Sequence, residues 1–129
     1  MLMSSAAWSV TPAERMDQWK DAINRASEAG NLERTQAYRR ELADYAASVG
    51  DHVEAVRQYE LLLALRPRRR ERALLFDKLG QQREALKNFQ SAISAYQDAL
   101  HDERNSFEAN LDLAGIQQGR SQLARHSDV

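Results

Sequence analysis

Cysteine is absent from the 129 residues of this sequence. Its absence excludes disulfides, thiolate metal sites, iron–sulfur clusters and cysteine nucleophiles, and it leaves the redox compartment undetermined. Proline and glycine are scarce, with 2 and 5 residues, which are too few for the many turns of an all-β fold. No stretch approaches the ~20 apolar residues of a membrane-spanning helix. These absences favour a helical protein without disulfides or a membrane span.

Charge of one sign is not in excess either. Lysine and arginine number 18 and aspartate and glutamate 19, so the formal net charge is −1. This balance argues against a nucleic-acid binder held by overall charge. Hydrophobic residues make up 43% and charged residues 29%, which is typical of one globular domain. We expect a cytoplasmic protein, because residues 1–10 lack the basic start and unbroken apolar run of a secretory signal.

Start and stop signals divide the chain into helical lengths. Thr11-Pro12-Ala13-Glu14 is a strong helix start, because the threonine hydroxyl caps a free backbone N–H and proline fits the first turn. Gly30 and Gly50 are expected to end the first two helices, since glycine accepts the left-handed conformation beyond a helix end. The third helix is expected to stop before Pro67, because the residue preceding a proline is pushed out of the helical region.

Two further helices are predicted after the proline. The fourth covers about residues 69–79 and is closed by Gly80, and the fifth starts near Gln81. The fifth helix either continues to about residue 118 or breaks within residues 102–105, where a cap-like Asn-Ser pair favours the break. Nothing alternates with period two for long enough to form a strand.

The fold class is therefore all-α, made of antiparallel helical hairpins joined by tight turns. We expect three regions along the chain. Residues 1–10 form a flexible arm, residues 11–118 form a single helical domain, and residues 119–129 form a disordered tail.

The segment from Gly50 to Pro67 resembles the second half of a tetratricopeptide repeat. That family places a glycine, then a small residue where two helices cross, an aromatic residue four positions later and a proline at the end. Gly50, Ala55, Tyr59 and Pro67 occupy those places. The resemblance is therefore carried by residue types at four spaced positions.

A second, degenerate copy follows, with Gly80, Ala85 and Phe89 in the corresponding places. The interval between Gly50 and Gly80 is shorter than the family's ~34 residues, and the second copy has no closing proline. About two repeats, over residues 35–99, resemble the family. The first helix and the carboxy-terminal helix would be flanking elements.

The resemblance implies a right-handed stack of about five or six helices with a groove lined by the first helix of each hairpin. Such a groove binds an extended peptide or a helix of a partner. Arg40 and Asp44 would line it from one helix, and Arg70, Leu74 and Asp77 from the next. Leu74 is then an apolar contact for the partner or, alternatively, a core residue.

The densest charge feature is the segment Arg66-Pro67-Arg68-Arg69-Arg70-Glu71-Arg72. A planar guanidinium holds a carboxylate or phosphate with two hydrogen bonds, so Arg68, Arg69 and Arg70 are candidates for binding an acidic partner. The alternative is a solvated turn whose cations pair with the carboxyl end of the preceding helix.

Lys20 and Asn24 lie four residues apart on the first helix. They are similar to the first part of the carboxylate clamp with which some repeats of this family grip a terminal carboxylate. The remaining clamp residues are not found in frame on the following helices, so an exposed polar face is the alternative interpretation.

The sequence contains no recognisable catalytic constellation. His52, His101 and His126 are scattered and lack the spacing of zinc ligands. No glycine-rich elbow surrounds a serine, and no phosphate-binding loop occurs. We therefore expect no enzymatic activity, no cofactor and no metal.

These observations predict a non-enzymatic adaptor that binds a peptide or helix of another, possibly acidic, protein. Two alternatives stay open: a small chaperone for a secreted or assembling partner, and a self-associating structural protein. The second alternative rests on a seam of residues at heptad spacing, which would pair the carboxy-terminal helices of a homodimer. The seam comprises Leu86, Ile93, Leu100 and Phe107.

Overall fold

A computed structural model describes residues 10–102 and 114–116 of the chain. Residues 10–102 contain five helices, and the described residues contain no strand, which confirms the all-α expectation. The helices are α1 (Pro12–Glu28), α2 (Leu32–Ser48), α3 (His52–Ala64), α4 (Arg69–Ala85) and α5 (Phe89–Asp102). Residues 114–116 are also helical. Among the described residues, no helix is long and apolar enough to span a membrane.

The described residues fall into two compact units that meet between Gln58 and Tyr59, inside α3. In the first unit α1 packs against α2, and in the second α4 packs against α5. A single domain over residues 11–118 stays a prediction. The predicted arm, apart from Val10, and the predicted tail lie outside the described residues, as does the expected helix break after Asp102.

The starts of α1 and α2 follow the capping rules. Thr11 Oγ1 accepts a hydrogen bond from the backbone N–H of Glu14 at 3.1 Å, and Pro12 occupies the first helical position, as the sequence predicts. Asn31 Oδ1 accepts in the same way from Arg34 N at 3.0 Å at the start of α2. These bonds satisfy backbone donors that have no partner inside the helix.

Three interhelical turns share one backbone conformation. Each contains a left-handed residue: Gly30 (φ 71°), Gly50 (φ 85°) and Lys87 (φ 63°). In each, the N–H of the next residue bonds to a carbonyl five residues back, as Asn88 N does to Arg83 O at 2.8 Å. This is the Schellman arrangement, which turns the chain and satisfies a free carbonyl at the helix end.

Gly80 does not close the fourth helix, so that expectation is wrong. The helix α4 continues through Gly80 to Ala85, and α5 begins at Phe89 rather than near Gln81. Gly80 has an ordinary helical backbone and is needed for a different reason. A Cβ atom there would lie 2.5 Å from Cε1 of Tyr96, so the missing side chain lets α4 and α5 approach closely.

The second repeat therefore has a different register from the predicted one. Ala85 and Phe89 are exposed, Phe89 by 41%, so they are not the small and aromatic pair of a helix crossing. Ala92 and Tyr96 are both fully buried and occupy those places. The two repeats now match at a constant offset, in which Leu42, Ala43, Ala55 and Tyr59 correspond to Leu79, Gly80, Ala92 and Tyr96.

Each unit has its own buried interior. Leu42, Ala43 and Ala46 of α2 are fully buried in the first unit, with Ala55 of α3. Tyr96 is the largest fully buried residue of the second, and its hydroxyl donates to Glu84 Oε1 at 2.9 Å. Burying a side chain of the size of Leu42 stabilises the fold by about 1.5–3 kcal/mol, and each buried alanine contributes less. Ile116 joins a buried cluster with Ala92, Ile93 and Tyr96.

Lys87→Gly is expected to stabilise the protein by about 1 kcal/mol, because glycine adopts the left-handed conformation without the cost that a side chain incurs. Urea unfolding followed by circular dichroism measures this change. Lys87→Ala is the matched control, since it also removes the ammonium group but keeps the strained backbone. Equal stability of the two variants would contradict the prediction.

Gly80→Ala is expected to destabilise the protein by about 1–3 kcal/mol, although alanine is the better helix former. The reason is the overlap with the Tyr96 ring, so the effect should depend on that ring. In a Tyr96→Leu background the same substitution should cost little or stabilise the protein. Urea unfolding of the four proteins tests this, and identical effects in both backgrounds would refute it.

Candidate functional site

The arginine-rich segment forms the junction between α3 and α4. The backbone leaves α3 through Arg66, which has a positive φ of 53°, and Pro67 follows. Arg68 is the N-cap residue of α4 but makes no side-chain capping bond, and Arg69 is the first helical residue. The side chains of Arg68, Arg69 and Arg70 are exposed to solvent. The three predicted binding arginines therefore stand together at the start of one helix.

Leu74 lies one turn beyond this group on the same helix. Arg70 and Leu74 are four residues apart and share a face of α4. Leu74 is 46% exposed, so it is a surface residue and not a core residue. We call Arg68, Arg69, Arg70 and Leu74 the arginine surface. It combines three cations with one exposed apolar side chain.

Arg72 is excluded from this surface by a structural ion pair. Its Nε donates to Asp102 Oδ2 and its Nη2 to Asp102 Oδ1, both at 2.7 Å. Asp102 is buried, with only 8% of its side chain exposed, and it belongs to α5. The hydrogen bond from Arg72 is the largest cause that holds the pKa of Asp102 below its usual range. Arg72 thus ties α4 to the end of α5.

Asp77 is not a groove residue in this structure. Its side chain is 2% exposed and lies in the interior of the second unit, and its Oδ2 accepts a hydrogen bond from Gln81 Nε2 at 3.2 Å. Asp77 is buried because it lies on the same face of α4 as Ala73 and Gly80, which are four and three residues away and are also buried. A partner has no access to it.

Arg40 and Asp44 belong to the first unit, on α2. Asp44 is exposed and Arg40 is half-buried. Between them, Glu41 Oε2 accepts a hydrogen bond from Trp19 Nε1 at 3.0 Å. The Trp19 ring also packs against Tyr45 with centroids 5.0 Å apart. This stretch of α2 is therefore fixed against α1 by an aromatic residue.

Lys20 is engaged inside the first unit. Its ammonium lies 2.7 Å from Glu54 Oε1, and Gln58 Nε2 donates to Glu54 Oε2 at 3.3 Å. Burial of Glu54 raises its pKa, but the bonds from Lys20 and Gln58 outweigh burial, so the pKa is lowered overall. Lys20 therefore connects α1 to α3, which removes it from the role of a clamp residue for a carboxylate ligand.

The predicted helix–helix seam does not form an outward stripe. Leu86 is the C-cap residue of α4 and is not part of α5. Ile93 is buried in the cluster with Ala92, Tyr96 and Ile116, so it faces the molecule's own interior. Leu100 is half-buried, and Phe107 lies outside the described residues. Leu86 and Ile93 are therefore not available on an outer face of α5 for a homodimer interface.

No cluster suited to a metal occurs in the described ranges. No group of three or more histidine, cysteine, aspartate or glutamate side chains is arranged there to hold an ion. His52 is half-buried at the start of α3 and His101 is exposed at the end of α5, whereas His126 lies outside these ranges.

Two solved structures are similar to this chain. One is the first tetratricopeptide domain of Spaghetti (RPAP3) bound to the HSP90 peptide SRMEEVD. It is 20% identical with a TM-score of 0.57, over 82% of this chain and 93% of that chain. The other is the first such domain of human RPAP3, also 20% identical with a TM-score of 0.57, over 87% and 96%. The chain has a tetratricopeptide-repeat fold. No family model and no curated protein matches its sequence.

The tetratricopeptide fold explains the corrected register. The family pattern places Leu-Gly on the first helix of a repeat and a small residue followed by an aromatic on the second. Leu79-Gly80 and Ala92 with Tyr96 satisfy it, and that spacing was a signal available in the sequence. The Arg72–Asp102 pair, by contrast, joins residues 30 positions apart and had no sequence signal.

The Arg72–Asp102 pair predicts a dependence of stability on pH. Because the pKa of Asp102 is lower in the folded state than its ordinary 3.8, the pair stabilises the fold above that value. The contribution is lost as pH falls through the lower, folded-state pKa. Asp102→Asn should therefore be less stable than the wild type at pH 7, and the difference should shrink below about pH 4.

Urea unfolding at pH 7, 5 and 3 measures this difference. Asp98→Asn is the control, because Asp98 is an exposed carboxylate on the same helix. A gap for Asp102→Asn that stays constant with pH would contradict the prediction. So would an equal loss for Asp98→Asn.

Proposed function

We propose that the chain is a non-enzymatic adaptor that binds an acidic peptide or helix of a partner protein through the arginine surface. The single observation that carries this proposal is the unusual start of α4. Arg68, Arg69 and Arg70 occupy the N-cap and first two helical positions, with no side-chain cap. They also remain exposed, although Arg72 two positions later is bound to a carboxylate.

Cations at this place oppose the helix dipole. The N-terminus of a helix carries partial positive charge and favours acidic side chains, so three arginines there are locally unfavourable. Natural proteins break such local rules mainly at functional sites. The combined positive field of the arginines and of the free N–H groups is suited to an anionic partner.

The mechanism is electrostatic attraction followed by apolar contact. Exposed arginines raise the rate at which an acidic segment arrives, and they hold its carboxylates through paired hydrogen bonds. Leu74, exposed on the same face as Arg70, provides the apolar contact that slows dissociation. Neither step involves bond chemistry, which agrees with an interaction module.

The similar domain of Spaghetti supports a protein partner. Its structure contains an HSP90 peptide, SRMEEVD, with three acidic residues. A shared fold at 20% identity does not transfer that partner to this chain, but it makes the peptide a suitable acidic probe. Because Lys20 is paired with Glu54, we place the acidic contact on the arginine surface.

The test is a fluorescence titration of the full chain with SRMEEVD and with its analogue SRMQQVN, in which the three acidic side chains are replaced by amides. We expect the acidic peptide to bind more tightly, with an affinity that falls as salt rises. Changing Arg68, Arg69 and Arg70 together to Gln should weaken binding about tenfold or more and flatten the salt dependence.

Two control variants distinguish the effect of total charge from the effect of these three arginines. Lys87→Gln removes a cation from an exposed position elsewhere in the same unit and should leave the affinity unchanged. Replacing the three arginines by lysine keeps the charge but removes the planar fork, so binding should be intermediate. Equal affinity of the triple Gln variant and the wild type would refute the proposal.

A further inference from the structure

A cleft lies between α1 and α2, near the turn at Gly30. It has a volume of about 230 Å³. Three alanines of the α1 side line it, Ala22, Ala26 and Ala29, and their small side chains leave the space open. Arg25 comes from the same side, and Arg34 and Tyr38 come from α2. All these residues belong to the first compact unit.

The two arginines of the cleft are uncompensated within the described part of the chain. Neither guanidinium has an ion-pair or hydrogen-bond partner among residues 10–102 and 114–116. Asp21, Glu28 and Glu33 are close in sequence, but none of them lines the cleft. In the first unit, Lys20 and Arg39 are bound to Glu54 and Gln58. The cleft therefore holds two positive charges beside an apolar lining.

Polar groups of α2 add hydrogen-bonding capacity. Asn31, the N-cap residue of α2, is a further lining residue, so the positive end of that helix lies at the cleft. Tyr38 is one turn beyond Arg34 and is half-buried, with a phenol that donates one hydrogen bond. Guanidinium and phenol groups around alanines suit an anion attached to a small apolar group.

We propose that this cleft binds a phosphomonoester. Two arginine charges match the −1.5 to −2 charge of such an ester at pH 7 better than the single charge of a carboxylate. The volume is below the ~300–1,000 Å³ of pockets for drug-sized ligands, so it fits one phosphorylated side chain or one small ester. The proposal is independent of the arginine surface, which lies on α4 in the other unit.

Isothermal titration calorimetry of the full chain tests it with three probes. They are N-acetyl-O-phosphoserine methylamide, phenyl phosphate and unphosphorylated N-acetylserine methylamide. We expect saturable binding of at least one phosphate ester and none of the unphosphorylated compound. A preference for the phosphoserine unit assigns the ligand to a phosphorylated protein, and a preference for phenyl phosphate assigns it to a small ester. Binding of neither ester overturns the proposal.

Variants locate the site. Arg25→Gln and Arg34→Gln should each weaken ester binding about tenfold or more, and Ala22→Leu should abolish it by filling the space. Arg15→Gln removes an arginine of α1 outside the cleft and should have no effect. Circular dichroism confirms folding of each variant. Equal weakening by Arg15→Gln, or unchanged binding in folded Arg25→Gln and Arg34→Gln, overturns the proposal.

Failure of this proposal is distinguishable from failure of the adaptor function. The triple Gln variant of Arg68, Arg69 and Arg70 should bind the ester as the wild type does, because those residues do not line the cleft. Loss of ester binding in that variant would assign the anion to the arginine surface and overturn the cleft assignment.

Discussion

The close approach of α4 and α5 at Gly80 determines the architecture of the second unit. The Tyr96 ring occupies the position that a side chain at residue 80 would need, and its hydroxyl reaches back to Glu84 on α4. Fully buried Ala92, Ala95 and Ala99 present little bulk on the same face of α5. Because helix separation is set by the side chains at the crossing, this arrangement brings the hairpin together and buries Asp77. The arginine surface is among the parts of α4 that stay exposed once that contact is made.

Three turns of the same conformation connect the helices. Two have glycine at the left-handed position and the third has lysine, and this difference explains where prediction from the sequence succeeds. Gly30 and Gly50 mark two of them, since glycine takes a positive φ without steric cost, and the helices up to α3 were predicted closely. Lys87 takes that conformation in the third turn, where no glycine signals it. From the sequence, Gly80 is therefore expected to be the turn that sets the register of the second repeat. Gly80 is instead a helical residue that allows close packing against Tyr96. Short-range rules identify a turn residue, but they do not distinguish it from a glycine required by a neighbouring ring.

The candidate site was predictable to a similar extent. An exposed arginine cluster follows from charge density and from its position beside Pro67, whereas Leu74 was expected only from the groove that the resemblance implies. The burial of Asp77 and the pairing of Arg72 with Asp102 depend on how α4 lies against α5, which a pattern along one helix does not contain. The cleft at Arg25 and Arg34 also depends on how two helices pack against each other. Its two sides come from antiparallel helices and are joined by the Gly30 turn.

Net charge alone does not indicate either of the two surfaces that we propose to bind anions. The total of −1 is a sum over all charged residues, and it does not distinguish cations that are bound in ion pairs from cations that are not. Lys20 and Arg72 hold buried carboxylates and so stabilise the helix arrangement, because a buried charge requires a partner. Arg68, Arg69 and Arg70 gather where the helix dipole disfavours them, and Arg25 and Arg34 line a cleft among alanines. An exposed arginine that forms no ion pair among the described residues contributes little to folding, and this is the physical reason to propose a ligand for it.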